Sequence, residues 1–174
     1  MNDKIEVLIT EEDVRTRIRE MAAMLSEKYE GEEVLLIGIL NGSVFFMTEL
    51  AQQMSIPVEI DFMAASSYGA GTESSGNVLI TKDLERSLDG KHVIIVEDIV
   101  DTGRTLHLLK DLIQMKSPLS VEVAVLLDKP SRRKVSCDAD YVGFQIPDEF
   151  VVGWGLDYDQ KYRDLTFIGI IKQD

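Results

Sequence analysis

Short, uninterrupted apolar runs recur along this chain, and they constrain its fold more than any other feature. The clearest runs span residues 34–40, 93–96 and 121–127, and they are rich in Val, Ile and Leu. Each run is too short for a typical helix and lacks the polar alternation of a strand with one face in water. Such runs are typical of strands buried on both faces, which occur mainly in parallel sheets covered by helices.

Segments with helical spacing separate these runs. Thr10 is followed by three acids, which predicts a helix N-terminus, and apolar residues then repeat at helical spacing until Gly31. Two further helices are expected over about residues 43–54 and 103–115, and further strands over residues 58–65, 78–81, 141–146 and 166–171. Strand, helix and strand in series predict an α/β fold, a parallel sheet with helices on both faces.

Composition excludes several classes of protein. A chain of 174 residues is long enough for a single domain, over residues 1–174, whose core needs no disulfide. Because 31 acidic residues face 18 basic ones, the net charge of −13 argues against nucleic acid and anionic membranes as partners. A lone cysteine, Cys137, and the lack of a signal-like or membrane-spanning stretch predict a cytoplasmic location.

The most specific motif is VIIVEDIVDTGRTL, at residues 93–106. Its strand is expected to deliver Glu97 and Asp98 to the crevice beyond the carboxyl ends of a parallel sheet. The helix that follows offers free N–H groups and a positive dipole end, which predicts a phosphate cradle built from Asp101, Thr102, Gly103, Arg104 and Thr105. Because neighbouring carboxylates suit sugar hydroxyls and hydrated Mg²⁺, the motif indicates a phosphorylated sugar. The alternative is that the two acids only cap the strand in solvent.

Five segments resemble the type I phosphoribosyltransferases, and specifically the hypoxanthine-guanine phosphoribosyltransferases. They are LNGSVFFMTEL (40–50), SSYG (66–69), VIIVEDIVDTGRTL (93–106), LLDKPSRR (126–133) and PDEFVVGWGLDYDQKYRDL (147–165). The resemblance implies a parallel twisted sheet flanked by helices, with a small irregular hood contributed mainly by the C-terminal segment. It also implies a homo-oligomer, either a dimer or a tetramer.

The resemblance further implies Mg²⁺-dependent purine salvage. The 5-phosphoribosyl group of phosphoribosyl diphosphate would pass to N9 of hypoxanthine or guanine, giving IMP or GMP and releasing pyrophosphate. Glu97 and Asp98 match acids that hold the ribose hydroxyls, directly or through Mg²⁺, and residues 101–105 match the 5′-phosphate loop. Asp157 matches the ligand of a second Mg²⁺, and Arg163 matches a pyrophosphate contact, for which a guanidinium is well shaped.

On the side of the base, Asp101 matches an acid near purine N7 that can accept a proton. Lys129 matches the donor to the exocyclic O6, which favours a 6-oxo group over the 6-amino group of adenine. Phe150 resembles the ring that stacks on the base, and the main chain near Val151 and Asp157 resembles the purine edge contact. Ser67 and Tyr68 belong to a Gly-rich stretch, residues 66–77, that is interpreted as a lid over the reacting centre.

The first apolar run ends in Leu-Asn-Gly, which departs from the pattern of the family. Most members have Lys or Arg where this chain has Asn41. The family uses the main chain of this turn, often through a non-proline cis peptide, to bind pyrophosphate. We therefore expect Asn41 and Gly42 to contribute to the pyrophosphate site through their backbone, without the usual ionic contact.

Two other functions compete with this interpretation. A non-catalytic sensor of phosphoribosyl diphosphate would have a basic face and tends to lose the acid at position 101, whereas this chain is acidic and keeps Asp101. An enzyme that prefers xanthine differs only in how it contacts C2 of the base. The basic run at residues 132–134 is expected to be a solvated turn, and His92 and His107 lack the spacing of a zinc site.

Overall fold

A computed structural model describes residues 4–67 and 78–172. Its strands are β1 (Lys4–Ile9), β2 (Val34–Leu40), β3 (Val58–Ser67), β4 (Val78–Lys82), β5 (His92–Val100), β6 (Ser120–Asp128), β7 (Tyr141–Gln145), β8 (Val151–Val152) and β9 (Ile168–Lys172). Its helices are α1 (Glu11–Lys28), α2 (Val44–Gln53) and α3 (Arg104–Gln114), with a 3₁₀ turn at Pro130–Arg132.

The main sheet runs in the order β4-β3-β2-β5-β6-β7. The pairs from β3 to β7 are parallel, which confirms the predicted α/β fold. β4 pairs antiparallel to β3 at the edge of the sheet. β2 leads through α2 to β3 on one side, while β5 leads through α3 to β6 on the other, so the carboxyl ends of β2 and β5 border the crevice at the switch point of the sheet.

Two apolar clusters, one on each face of the main sheet, explain the continuous apolar runs. On one face, α1 and α2 cover residues such as Leu36, Ile94 and Leu126. On the other face, α3 covers their sequence neighbours, among them Leu35 and Ile95. Successive residues of a strand therefore pack into opposite layers, and none needs to be polar. None of the described helices is long and apolar enough to cross a lipid bilayer.

A second, smaller sheet joins the two ends of the described chain. β9 pairs antiparallel with β1 on one side and with β8 on the other. The sequence analysis did not predict β1, because this strand alternates charged and apolar residues and is largely exposed. Across the pair, Lys172 Nζ lies 3.3 Å from Glu6 Oε2. We call this sheet, together with residues 153–167, the hood.

A polar cluster ties α1 to the end of the main sheet that lies away from the crevice. Glu122 of β6 accepts hydrogen bonds from the hydroxyls of Tyr29 (2.8 Å) and Tyr141 (2.9 Å) and pairs with Lys28. Burial on its own raises the pKa of Glu122, but the hydrogen bonds from Lys28 and the tyrosines outweigh it and leave that pKa below its usual value. The cluster therefore stabilises the fold in its charged form.

Changing Glu122 to Gln should lower the free energy of unfolding near pH 7 by about 1 kcal/mol, because a neutral acceptor replaces a charged one. Since folding lowers the pKa of Glu122, its contribution is present above the unfolded-state pKa and is lost as the pH falls through the folded-state pKa. Urea unfolding near pH 7 and in mild acid measures the free energy of unfolding of both proteins. The difference between the variant and the unmodified protein should be smaller in acid. Glu30→Gln, at an exposed acid nearby, is the control. An equal deficit at both pH values would contradict the linkage.

Candidate active site

The crevice at the switch point contains a cavity of about 190 Å³, lined by residues 97–103, Thr105 and Leu106. The predicted acids and most of the predicted phosphate loop therefore line one space. In one respect the prediction was wrong, because β5 does not end before Glu97 and Asp98. β5 continues to Val100, where it still pairs with Asp128 of β6, so both acids lie within the strand.

Glu97 and Asp98 form a pair of acids with little positive charge nearby. Glu97 is buried, and burial raises its pKa well above the usual value, with the charge of Asp98 adding to the effect. Burial also raises the pKa of Asp98, although the Ile99 N–H that donates to Asp98 Oδ1 (2.7 Å) and the charge of Arg163 oppose the shift. In the described part of the chain no ion pair reaches either carboxylate. A cation, or donors such as sugar hydroxyls, would complete this pair.

The predicted phosphate loop begins α3 with a glycine in the left-handed region. Gly103 has φ +82° and is the N-cap residue of the helix. A Cβ added at this position would lie only 3.0 Å from Arg133 Cδ and 3.1 Å from the Val135 carbonyl oxygen. The first turn of α3 contains no acid, so the positive end of the helix dipole is not neutralised locally. Backbone conformation and close packing together therefore favour glycine in this anion cradle.

The basic run at residues 132–134 is a solvated turn only in part: Arg132 and Lys134 are exposed, as predicted, but Arg133 is half-buried and the run supports this loop. Arg133 Nη1 donates to the Asp101 carbonyl oxygen (2.8 Å). The main-chain N–H groups of Lys134 (2.9 Å) and Val135 (3.2 Å) donate to the Thr102 carbonyl oxygen. One signal could have indicated this arrangement: the run follows β6, the neighbour of the strand that carries the loop, at the same edge of the sheet.

The Leu-Asn-Gly turn packs between β5 and the hood. The peptide bond between Leu40 and Asn41 is cis, and Asn41 is exposed. A Cβ on Gly42 would overlap Asp98 Oδ2, and a Cβ on Gly155 of the hood would overlap the Gly42 carbonyl oxygen. The structure thus brings the predicted pyrophosphate turn against the predicted ribose acid, and only glycine fits at these two contacts.

Arg163 and Asp157 lie on the hood beside this turn. Arg163 Nη1 donates to the Gly155 carbonyl oxygen (2.7 Å) and lies 3.2 Å from Asp157 Oδ1. Asp157 Oδ2 in turn accepts a hydrogen bond from the Gln160 N–H (2.8 Å). Because Gly155 contacts Gly42, the predicted pyrophosphate residues belong to one connected set of contacts.

The predicted base residues lie at the end of β6 and the start of β8. Lys129 is buried, and its N–H donates to the Val100 carbonyl oxygen (2.9 Å). Val151 is buried, whereas the side chain of Phe150 is exposed and available for stacking. The rings of Phe150 and Tyr158 form an edge-to-face pair, with their centres 5.6 Å apart and their planes at 84°. Sequence reasoning missed Tyr158, although it is an aromatic residue next to the predicted Asp157.

The structure describes only part of the predicted lid, and among the described residues the predicted metal ligands do not form a complete metal site by themselves. Ser67 ends β3, and Tyr68 with the remainder of the predicted lid lies outside the described residues. Within residues 4–67 and 78–172, no group of three or more His, Cys, Asp or Glu side chains could hold a metal by itself. Glu97 and Asp98 still suit Mg²⁺, which commonly uses one or two carboxylates and takes its other ligands from water and substrate phosphates.

Comparison with known proteins points to one family. The family model described as "Phosphoribosyl transferase domain" matches residues 9–160. The bifunctional protein TilS/HprT of Listeria innocua is 50% identical over 173 residues, which are 99% of this chain and 27% of that relative. The hypoxanthine-guanine phosphoribosyltransferase of Staphylococcus aureus is 49% identical over 99% of this chain and 97% of its own length.

The fold agrees with a solved relative as well. The crystal structure of a hypoxanthine phosphoribosyltransferase from Staphylococcus aureus superposes with a TM-score of 0.94 at 49% identity. The alignment covers 98% of this chain and 93% of the crystallised one. The chain thus spans nearly the full length of these single-function relatives, but only 27% of the bifunctional one.

Replacing Gly42 with Val should weaken pyrophosphate binding strongly, because the new side chain would displace Asp98 and the turn. Overpacking of this kind costs about 1–3 kcal/mol. Replacing Asn41 with Ala or Lys should change the Kd by less than about fivefold, because this side chain is exposed. Calorimetry measures the Kd of pyrophosphate for all three variants. Circular dichroism checks that they fold, and Gly42→Ala serves as a milder variant at the same position. The opposite ranking would place the pyrophosphate site elsewhere.

Proposed function

Because the chain belongs to the phosphoribosyltransferase family, among its hypoxanthine-guanine members, we propose that it transfers a 5-phosphoribosyl group in purine salvage. The donor is phosphoribosyl diphosphate, the acceptor is N9 of hypoxanthine or guanine, and the products are IMP or GMP and pyrophosphate. The observation that carries the proposal is the shared crevice of the acid pair, the phosphate loop and the cavity between them.

The departure of pyrophosphate from C1′ determines what the site must provide. As that bond breaks, positive charge develops on the ribose and negative charge on the leaving group. Glu97 and Asp98 would stabilise the ribose side, while the Gly42 turn and the Arg163 guanidinium would bind the pyrophosphate. The 5′-phosphate would be held by the main chain of residues 101–105 at the N-terminus of α3.

A divalent metal is general in this family, and we propose Mg²⁺ for this chain. Glu97 and Asp98 would hold one ion beside the ribose hydroxyls, and Asp157 a second ion near the pyrophosphate. When bound, the metal supplies positive charge to the oxygen atoms of the leaving group. The raised pKa values of the buried acid pair support this assignment, because a nearby cation would offset the cost of charging both groups.

The base would be recognised through its O6 and N7 edges and through its face. Lys129 is buried and would donate to O6, and Asp101 would accept the proton that the purine loses. The exposed ring of Phe150 would stack on the base, and the main chain at Val151 would meet its edge. These roles favour hypoxanthine and guanine over adenine. Bases that differ at C2, such as guanine and xanthine, would be distinguished by main-chain contacts.

We also propose a homo-oligomer in the cytoplasm that acts on small anions and not on nucleic acid or membranes. The net charge of −13 supports the exclusion, because both kinds of surface are bound mainly through clustered Lys and Arg. The same charge disfavours the alternative of a sensor that regulates a nucleic acid. Binding of an anionic substrate would then depend on local N–H groups and on Arg163.

A direct assay tests the proposed function. The protein with phosphoribosyl diphosphate and Mg²⁺ should form nucleotide from hypoxanthine and guanine, and little from adenine. Asp101→Asn is the matched inactive variant, with turnover lowered by about 10²- to 10⁴-fold and with phosphoribosyl diphosphate still bound. Absence of product with all bases, xanthine included, would remove the enzyme proposal.

Lys129→Gln should narrow the preference for hypoxanthine over adenine. A buried ammonium only donates, whereas an amide both donates and accepts, so the 6-amino group of adenine is no longer mismatched. We expect the ratio of the two kcat/KM values to fall by about tenfold or more. Lys134→Gln, at an exposed lysine nearby, should leave the ratio unchanged. An unchanged ratio in Lys129→Gln would show that the base is read elsewhere.

A further inference from the structure

Arg132 makes two contacts that have no role in the proposed function as described so far. Its guanidinium lies between two acids: Nε is 2.7 Å from Asp101 Oδ1, and Nη1 is 3.4 Å from Asp148 Oδ1. The side chain is 46% exposed, so the packing of the core does not require it. A long cation held in one direction by two acids is typical of a residue that fixes the position of another group.

The contact with Asp101 is selective for one of its two carboxylate oxygens. Oδ1 is shielded from solvent and lies within ion-pair distance of Arg132, although the N–H direction is not that of a hydrogen bond. The side chain of Asp101 is nevertheless 41% exposed, so its solvent-accessible surface belongs to atoms other than Oδ1. Arg132 therefore lies against Oδ1, and Oδ2 is the oxygen that would accept from an incoming N–H donor.

Asp148 connects this arrangement to the second group that would read the base. Asp148 Oδ1 lies 3.4 Å from Arg132 Nη1 and 4.0 Å from Lys129 Nζ. Lys129, Asp148, Arg132 and Asp101 thus form a chain of alternating charge. The chain joins the proposed O6 donor to the proposed proton acceptor, and it can set their relative position.

The main chain of Asp101 is held independently of Arg132. Arg133 Nη1 donates to the Asp101 carbonyl oxygen (2.8 Å), and the N–H groups of Lys134 and Val135 donate to Thr102. Removal of the Arg132 side chain would therefore release the Asp101 carboxylate but not the phosphate loop. This separation allows a positioning role to be distinguished from a role in the stability of the loop.

We propose that Arg132 is a positioning residue that orients the Asp101 carboxylate toward the purine, with Asp148 as the anchor of its guanidinium. This inference rests on the proposed function, because it requires Asp101 to accept a proton from the base. Orientation of a base by a third group is a general arrangement in enzymes. Here the third group is a cation that is itself fixed by an acid.

Arg132→Gln tests the inference through two separate constants. The value of kcat/KM for hypoxanthine should fall about fivefold, the upper range for loss of a partly exposed ion pair. The Kd of phosphoribosyl diphosphate, measured by calorimetry, should change by less than twofold because the phosphate loop keeps its main-chain contacts. Arg19→Gln on the exposed face of α1 is the control and should alter neither constant. A rise in this Kd by the same factor by which kcat/KM falls would overturn the positioning role.

Asp148→Asn and the double variant test whether the two residues act together. If Asp148 works by anchoring Arg132, the double variant should be no slower than Arg132→Gln alone. Losses that multiply would overturn the anchor, and an unchanged kcat/KM in Arg132→Gln would overturn the inference as a whole. In both cases the unmodified protein still makes nucleotide, whereas failure of the proposed function would leave the unmodified protein inactive.

Discussion

The close packing of Gly42 between Asp98 and Gly155 is the contact on which the rest of the site depends. It brings the end of β2, the acid pair of β5 and the hood within van der Waals distance of one another. β2 and β5 are adjacent because the sheet reverses its direction of growth between them. A parallel sheet by itself leaves this crevice open. The hood closes one side of it, and a side chain at either glycine would push the two parts away from each other.

The site balances charge locally in a chain that is acidic as a whole. Buried Glu97 and Asp98 have no ion pair with any described residue, and the negative charge of Asp98 is stabilised more by the Ile99 N–H than by the charge of Arg163. On the side of the base the balance is different, because Asp101 and Asp148 each lie next to a cation. This asymmetry agrees with the proposed chemistry. Uncompensated acids lie where positive charge would develop, and the compensated acid lies where it must be held in one orientation.

The predictable features depend on local sequence, and the missed features depend on long-range partners. The helices and the central strands of the main sheet were predicted from apolar periodicity and caps, since they pack into the two apolar clusters. β1 was missed because its partner β9 lies at the other end of the described chain, and β5 was predicted too short because its pairing with β6 carries it past two acids. The basic run at residues 132–134 has no periodicity at all. Its role depends on a carbonyl oxygen and a carboxylate of Asp101, which lies about thirty positions earlier in the chain.

The difference between main-chain and side-chain contacts also explains how the chain can carry Asn41 where its family usually has a cation. The turn is held by contacts of Gly42 with Asp98 and Gly155, and none of these involves the side chain at position 41. The same holds for the phosphate loop, whose carbonyl groups are held by Arg133, Lys134 and Val135. In the proposed function, anion binding would therefore rely on backbone geometry that close packing maintains. In the proposed function, side chains such as Lys129 and Phe150 would read the base and Arg132 would orient Asp101, so changes among them would alter specificity without dismantling the site.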